Sequence, residues 1–239
     1  MTTQAMYRDK AKYYDLIYSW KNYQKESADL LSVLKKYQNS NGKRLLDVGC
    51  GTGAHLTYLS KKYTCTGVDV NPGILSIAKK KHPKVTFVKQ DMRNLQVNQQ
   101  FDAVVSLFSA IGYLKRESDL NKAIQRFADH LRPGGVLVID PWFEPKDWTV
   151  GSPHLTPYKS KNICLARLNI SQRKGNLAVM KMHWLVAEQN KEVRYFTDHH
   201  EMLLMPHNKI LAMMRNAGLV TRKVRSKTWR NGLLVGVKA

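Results

Sequence analysis

At 239 residues the chain has room for one substantial α/β domain with an appended cap, and nothing requires a second independent domain. The three cysteines, Cys50, Cys65 and Cys164, are odd in number and lack paired metal-ligand spacing. They argue against a disulfide framework or a zinc site and for a reducing cytoplasm. The formal charge of +21 is compatible with an anionic partner, whether nucleic acid, a membrane surface or a phosphorylated metabolite, and equally with lysines that merely solvate the surface, without choosing among them. The start, MTTQAMYRDKAKYYD, is too polar for a secretory signal, and no run reaches the roughly eighteen apolar residues of a membrane span, so a soluble cytoplasmic protein is expected.

In chain order, Ala28, Leu31 and Leu34 fall near helical spacing and the polar QNSNG follows. This predicts a helix over Tyr23–Tyr37 within an N-terminal lid, 1–42. From 43 to 140 strands and helices alternate: RLLDV, a helix from Gly53 through Ala54–Lys62, CTGVDV, a helix over Pro72–Lys81, VTFVKQ, FDAVVSLF, a helix over Glu117–Leu131, and VLVID. Such alternation predicts a parallel sheet covered on both faces. The following stretch, PWFEPKDWTVGSPHLTPYK, holds four of the eight prolines and reads as a loop. Ile163–Met205 then reads as three extended segments, in which Met180, Met182, Trp184 and Val186 alternate against Lys181 and His183. The segment 141–206 is therefore expected to form an antiparallel insertion roofing the sheet's C-terminal edge, with a homodimer surface as its alternative use. A helix over Asn208–Ala217 and strands around LVTRKVR and LLVGVK close the core in 207–239. The densest basic run is Arg222, Lys223, Arg225, Lys227 and Arg230; as a strand it would put Lys223, Arg225 and Lys227 on one face and Arg222 on the other.

The richest motif is LLDVGCGTGAHL, Leu45–Leu56. Alternating Gly49, Gly51 and Gly53 let the backbone turn tightly and approach a ligand, and a helix starting there would offer free N–H groups. GCGTGA satisfies the dinucleotide pattern G-x-G-x-x-G/A, with Ala54 last. The acidic residues separate the readings. Asp47, two residues before the first glycine, would repel a pyrophosphate and welcome a cationic or zwitterionic ligand. Asp69 ends the next apolar run at a spacing suited to gripping a ribose diol.

DVGCGTG resembles the first motif, D-x-G-x-G-x-G, of the class I S-adenosyl-L-methionine (SAM) methyltransferases. The resemblance implies an α/β fold, a Rossmann-like seven-stranded class I methyltransferase sheet with an antiparallel β insertion capping the active site. It implies SAM as cofactor, with Asp47, Gly49, Gly51 and Gly53 bordering its amino acid half, Asp69 on the ribose, and Asp91 and Met92 beside the adenine. FDAVVSLFSAIGYL would be the fourth strand, with Leu107 on the cofactor, and LRPGGVLVID the turn and fifth strand.

Beyond those motifs, YDLIY, KNYQKESADL, CGTGAHL, QDMRNL, SLFSAIGYL, LRPGGVLVIDPWF and NGLLVGV are similar to segments of the sugar N,N-dimethyltransferases that finish nucleotide-linked deoxyamino sugars. By this resemblance Tyr14 and Tyr23 reach the SAM carboxylate, while Tyr7, Tyr113 and Arg230 face an anionic nucleotide sugar, with Trp142 in the same cleft. Tyr113 stands where some members carry histidine, and Tyr7 aligns only across a one-residue gap. Tyr113 is assigned the orienting hydroxyl ahead of His55, His183, His199 and His200. Adjacent His199 and His200 should face opposite sides of a strand, which disfavours a metal site. The expected function is N-methylation of a nucleotide-linked amino sugar. Its alternatives are methylation of another small-molecule amine or hydroxyl, RNA or DNA methylation, and an inert SAM-binding protein. Against nucleic acid, FSAIGYL occupies the place of an NPPY-type base-flipping motif.

Overall fold

The structure is a computed structural model in which residues 10–239 are described. Two strands that read as continuous apolar runs, β1 (Arg44–Val48) and β4 (Phe101–Ser106), are buried almost throughout and lie side by side at the centre of a seven-stranded sheet. The others are β2 (Thr64–Asp69), β3 (Thr86–Lys89), β5 (Leu131–Ile139), β10 (Leu219–Val224) and β11 (Leu233–Lys238). The sheet order is β10-β11-β5-β4-β1-β2-β3, with β11 antiparallel to both neighbours and the remaining pairs parallel. The chain leaves β1 toward β2 on one side and later enters β4 on the other. The sheet therefore opens a crevice where their carboxyl ends diverge.

Alternation along the strands divides the core. Leu46, Val104 and Leu137 pack with α5 (Glu117–Asp129) and α6 (His207–Asn216), through Ile124, Phe127 and Met214. Leu45, Ala103 and Val136 face the other way, onto Leu30 and Leu34 of α2 (Tyr23–Tyr37) and Leu56 and Leu59 of α3 (Leu56–Leu59). Asn22 caps α2 by accepting the Lys25 N–H, and Asn71 caps α4 (Pro72–Lys81) with Pro72 at its first position. A single turn, α1 (Tyr14–Ile17), precedes α2.

A second sheet, antiparallel throughout, runs β6 (Pro153–Lys159), β7 (Ile163–Lys174), β8 (Leu177–Glu188) and β9 (Arg194–Leu203). Its inner face carries Met180, Met182, Trp184 and Val186, packed with Tyr13, Tyr14 and Ile17. Its outer face exposes Leu168, Leu185 and Tyr195. Among the described residues no helix is long and apolar enough to cross a membrane.

Three expectations are corrected. The helix over Ala54–Lys62 contracts to α3, because the amide bonds around it alternate between three- and four-residue spacing, as in Tyr58 and Leu59 both returning to the His55 carbonyl. PHLTPYK is strand β6: Pro153 and Pro157 lie four residues apart on an edge strand, so their missing N–H groups fall on one side and one neighbour suffices. The basic run does not share one strand face, because β10 ends at Val224. Arg222 stacks over the Tyr37 ring and Lys223 reaches His207 Nδ1, leaving Arg225 and Lys227 beyond the strand.

Candidate active site

The glycine turn leaves β1 with φ of 79° at Gly49, 56° at Gly51 and 76° at Gly53, a region that penalises any Cβ. A Cβ on Gly49 would also stand 2.5 Å from that of Ala110, whereas one on Gly51 would meet nothing within 4 Å. The amides of the turn are already used. Gly49 and Cys50 donate to the Val68 carbonyl at 2.7 and 3.0 Å, Gly53 donates to the Cys50 carbonyl, and Gly51 donates to Asp69 Oδ2 at 3.0 Å. The expected array of free N–H groups is therefore absent from these four amides. Three are satisfied from β2 and the fourth, Gly53, within the turn itself, and a pyrophosphate would find no cradle in them.

Asp47 lies beneath the turn, 2 % exposed, and burial together with the Asp69 charge pushes its carboxyl up to about 7. Its Oδ1 has no hydrogen-bond partner among the described residues. Asp69 accepts from Gly51 N–H and, through Oδ1, from Asn71 N–H at 2.9 Å. Burial raises its pKa, and those two donors work against the rise.

The strand ends open onto a cavity of about 990 Å³. Of the residues singled out from the sequence, Tyr14, Gly49, Gly51, Asp69, Asp91, Met92, Leu107, Tyr113, Trp142 and Arg230 line it. Tyr23, Asp47 and Gly53 do not, and Tyr7 lies outside the described residues. Tyr23 packs edge-on to His55, 5.0 Å between centroids, and its hydroxyl pKa is raised by burial. His55 Nε2 in turn lies 2.8 Å from Glu26 Oε2, and Lys21 Nζ lies 2.6 Å from Glu26 Oε1. Asp91 is held by Arg93, whose guanidinium and backbone N–H both donate to it, and this pairing keeps its carboxyl below the usual range. The N-terminal segment is tied to the turn by Thr52 Oγ1, which donates to Asp15 Oδ1 at 2.6 Å.

After β4 the chain passes through two consecutive left-handed residues, Phe108 (φ 50°) and Ser109 (φ 58°). Such a pair is strained for non-glycine residues and needs support. Asp140, just past the end of β5, sits beside them, and burial drives its carboxyl up to about 7 against the pull of the Phe108 and Ser109 backbone N–H groups. The turn then presents Tyr113, whose Oη lies 2.8 Å from His200 Nδ1; His200 Nε2 lies 2.8 Å from Asp198 Oδ2.

The opposite wall is aromatic and cationic. Trp142, Phe143 and Trp148 cluster with centroids 4.8 to 5.7 Å apart, and the exposed Arg230 guanidinium lies 4.8 Å above Phe143. From β7, Arg167 donates to Tyr18 Oη at 2.9 Å and Thr156 Oγ1 at 3.0 Å, so hydroxyls meet its charge there.

Residues 45–135 match the family model described as a methyltransferase domain. The dTDP-3-amino-3,4,6-trideoxy-alpha-D-glucopyranose N,N-dimethyltransferase of Streptomyces venezuelae is 36 % identical, over 97 % of this chain and 98 % of the relative. The chain belongs to the class I SAM-dependent methyltransferases. The crystal structure of DesVI from Streptomyces venezuelae superposes with a TM-score of 0.90 at 35 % identity, covering 96 % of this chain and 98 % of that one. A SAM-bound amino pentose methyltransferase from Micromonospora echinaspora gives 0.84 at 30 %, covering 92 % of each chain.

The cofactor of this methyltransferase is SAM. Of two groups in its cavity region, Arg167 escaped the reading of the sequence and His200 was ranked there behind Tyr113. Arg167 shares the inner face of the second sheet with Trp184, its cross-strand partner, and the alternation around Met180–Val186 was the signal that could have placed it. His200 carried no such signal, because its contact with Tyr113 spans 87 residues and depends on how the two sheets face each other.

Proposed function

We propose that this methyltransferase N-methylates a nucleotide-linked amino sugar. The observation that carries the reading is the extent of the similarity. The general methyltransferase match stops at residue 135, while the similarity to the Streptomyces venezuelae sugar enzyme continues through the second sheet, which forms the acceptor wall. A cavity near the top of the usual range of about 300–1,000 Å³ suits a cofactor and a nucleotide sugar held together.

SAM supplies an electrophilic methyl group. The residues present fit it: the unpartnered Asp47 Oδ1 suits its ammonium, Asp69 its ribose hydroxyls, the open side of Gly51 a closely approaching ligand, and Met92 and Leu107 its adenine. Tyr14 borders the same pocket, and Tyr23 supports it from behind His55. Arg230 and Arg167 hold the diphosphate by charge-assisted bonds, and the Trp142 cluster offers rings for the base or sugar to stack on. Tyr113 orients the amine. Aligning the lone pair with the methyl carbon does most of the catalysis, since proximity and orientation are what a preactivated methyl donor still lacks. A cytoplasmic location suits its three free thiols.

The test is methyl transfer from SAM to a panel of dTDP-linked and free amino sugars, read by mass spectrometry. Nucleotide-linked amines should turn over and free sugars should lag far behind. Equal rates on both remove the diphosphate argument, and no turnover on any member overturns the amino sugar reading.

A further inference from the structure

We propose that Tyr113 is the cavity end of a proton relay whose base is His200, set in its tautomer by Asp198. The proposal rests on the amine-methylating reading above and says how that amine is presented. Asp198 and His200 are two residues apart on β9, on the inner face, and are 0 % and 4 % exposed. Their cross-strand partners on β8 are Met182 and Met180, both buried, and Ser171 of β7 lies next in the same row. Neighbouring charges turn the other way: Lys181 of β8 pairs in register with His199 of β9, and Glu201 binds both His199 and Lys115, the latter from the loop that follows Tyr113. Among the described residues, the ionisable groups hydrogen-bonded to His200 include Asp198 and Tyr113.

The direction of the hydrogen bonds follows from what each group can do. A carboxylate accepts and does not donate, so the proton between Asp198 Oδ2 and His200 sits on Nε2. A neutral imidazole with Nε2–H has Nδ1 as an acceptor, so the Tyr113 hydroxyl donates to it across 2.8 Å. With its own proton committed, the phenol oxygen meets a substrate amine as an acceptor of N–H. The lone pair is then left to point at the methyl carbon. A tyrosine whose proton was uncommitted could donate to the amine and occupy the lone pair that must attack.

On transfer, the amine nitrogen forms a bond to the methyl carbon as that carbon's bond to sulfur breaks, the bonding pair staying with sulfur. The methylated ammonium passes a proton to Tyr113 Oη while the phenol proton moves to His200 Nδ1. This leaves a neutral amine, neutral tyrosine and an imidazolium beside the Asp198 carboxylate. The imidazolium releases its proton to solvent after product leaves, and the neutral product amine is ready for a further methyl. Tyr113 touches the substrate; His200 and Asp198 are positioning residues that act through it.

The first test uses the whole protein without substrate. Nitrogen-15 NMR of the histidines should find His200 protonated at Nε2 and bare at Nδ1, and the opposite tautomer overturns the proposal. The second compares variants on a substrate that the wild type methylates. His200→Asn keeps a hydrogen-bonding atom near the place of Nδ1 but cannot take a proton. It should lower kcat about a hundredfold, the lower end of what general acid–base catalysis contributes. Calorimetric SAM affinity and acceptor KM should stay within about twofold, so that the loss falls on kcat alone. Should His200→Asn fail to fold, Tyr113→Phe cuts the relay without entering the buried pair and should lower kcat to the same extent with SAM affinity unchanged. Where both variants fold, the double variant should lose no more than either alone, as residues acting in one unit do. Wild-type kcat in the variants, or additive losses, overturn the relay while the amino sugar reading stands. A wild type that methylates no amino sugar removes that reading, and the relay with it.

Discussion

The two walls of the cavity are built in different ways. The wall from β1 to β4 is mostly main chain: Gly49 and Gly51 in left-handed conformations, amides tied to β2, and the Asp69 carboxyl at a strand end, with Gly53 and the buried Asp47 carboxyl behind them. The wall facing it is side chain: Arg167 from the second sheet, the Trp142 cluster of the 142–148 segment, Arg230 from the loop between β10 and β11, and Tyr113 from the turn after β4, with His200 and Asp198 behind it. A wall of backbone tolerates little variation and serves one ligand. A wall of side chains can be rewritten one residue at a time on an unchanged sheet, and so serves to choose the acceptor.

If the first wall works as described, Asp69→Ala has the largest effect. Two charged hydrogen bonds to a ribose, at about 1.5 kcal/mol or more each, amount to roughly a hundredfold in SAM affinity, and freeing Gly51 N–H loosens the turn as well. Calorimetry on the folded variant checks this, and Asp69→Asn, which keeps the shape, should lose less. Unchanged affinity would show that the wall does not grip the ribose through this carboxylate.

On the opposite wall, Arg230→Ala should raise KM for a nucleotide-linked acceptor about tenfold, the loss of one charge-assisted contact, and leave kcat nearly unchanged. Steady-state kinetics on linked and free acceptors separates the two walls: SAM KM should not move. A fall in kcat with constant KM would assign the arginine to the transition state instead.

Asp47 yields a pH signature. With a carboxyl near 7 in the free protein, protonation removes the charge that an ammonium needs, so SAM affinity should weaken as pH falls through that value. From about pH 8 to about pH 6 the loss should approach tenfold, and Asp47→Asn should flatten the curve at its weak end. Stability runs the other way. A carboxyl that holds its proton more tightly folded than unfolded contributes fully below the unfolded value near 4, and that contribution is lost as pH rises through about 7. At pH 8, thermal unfolding of the SAM-free protein should therefore show Asp47→Asn more stable than the wild type, by a few kcal/mol at most. A lower Tm would mean that the ionised group is compensated in the free protein.

The smallest expected effect concerns the charge of +21. Generic RNA should be retained weakly at low salt and released steeply as salt rises, with no methyl transfer to bases, because scattered lysines neutralise phosphates without reading sequence. Selective binding at physiological salt with base methylation would replace the acceptor proposed for the second wall.

What could be read before folding was what lies close along the chain. Leu45–Leu56 contains its own strand, its own turn and Asp47, and Asp69 follows at the next strand end, so local sequence carried the cofactor wall. Even there, free amides were expected where the structure spends them on Val68 and Asp69, since a hydrogen-bond partner on β2 is invisible from the turn alone. Alternation of Met180 to Val186 announced the second sheet, while β6 hid behind its prolines, which an edge strand accepts and a central one rejects. Tyr23 looked like a cofactor contact by resemblance and is turned onto His55 by packing. His200 and Arg167 acquire meaning only when β7, β8 and β9 register against one another and the sheet closes over β4. By itself the sequence determined the strands, the glycine turn and the acidic residues beside it, because short-range sterics and periodicity act within a few residues. Tertiary structure decided which amides stay occupied and which histidine stands behind Tyr113, because those are contacts between segments as much as 87 residues apart that only a fixed register and sheet packing bring within hydrogen-bond reach.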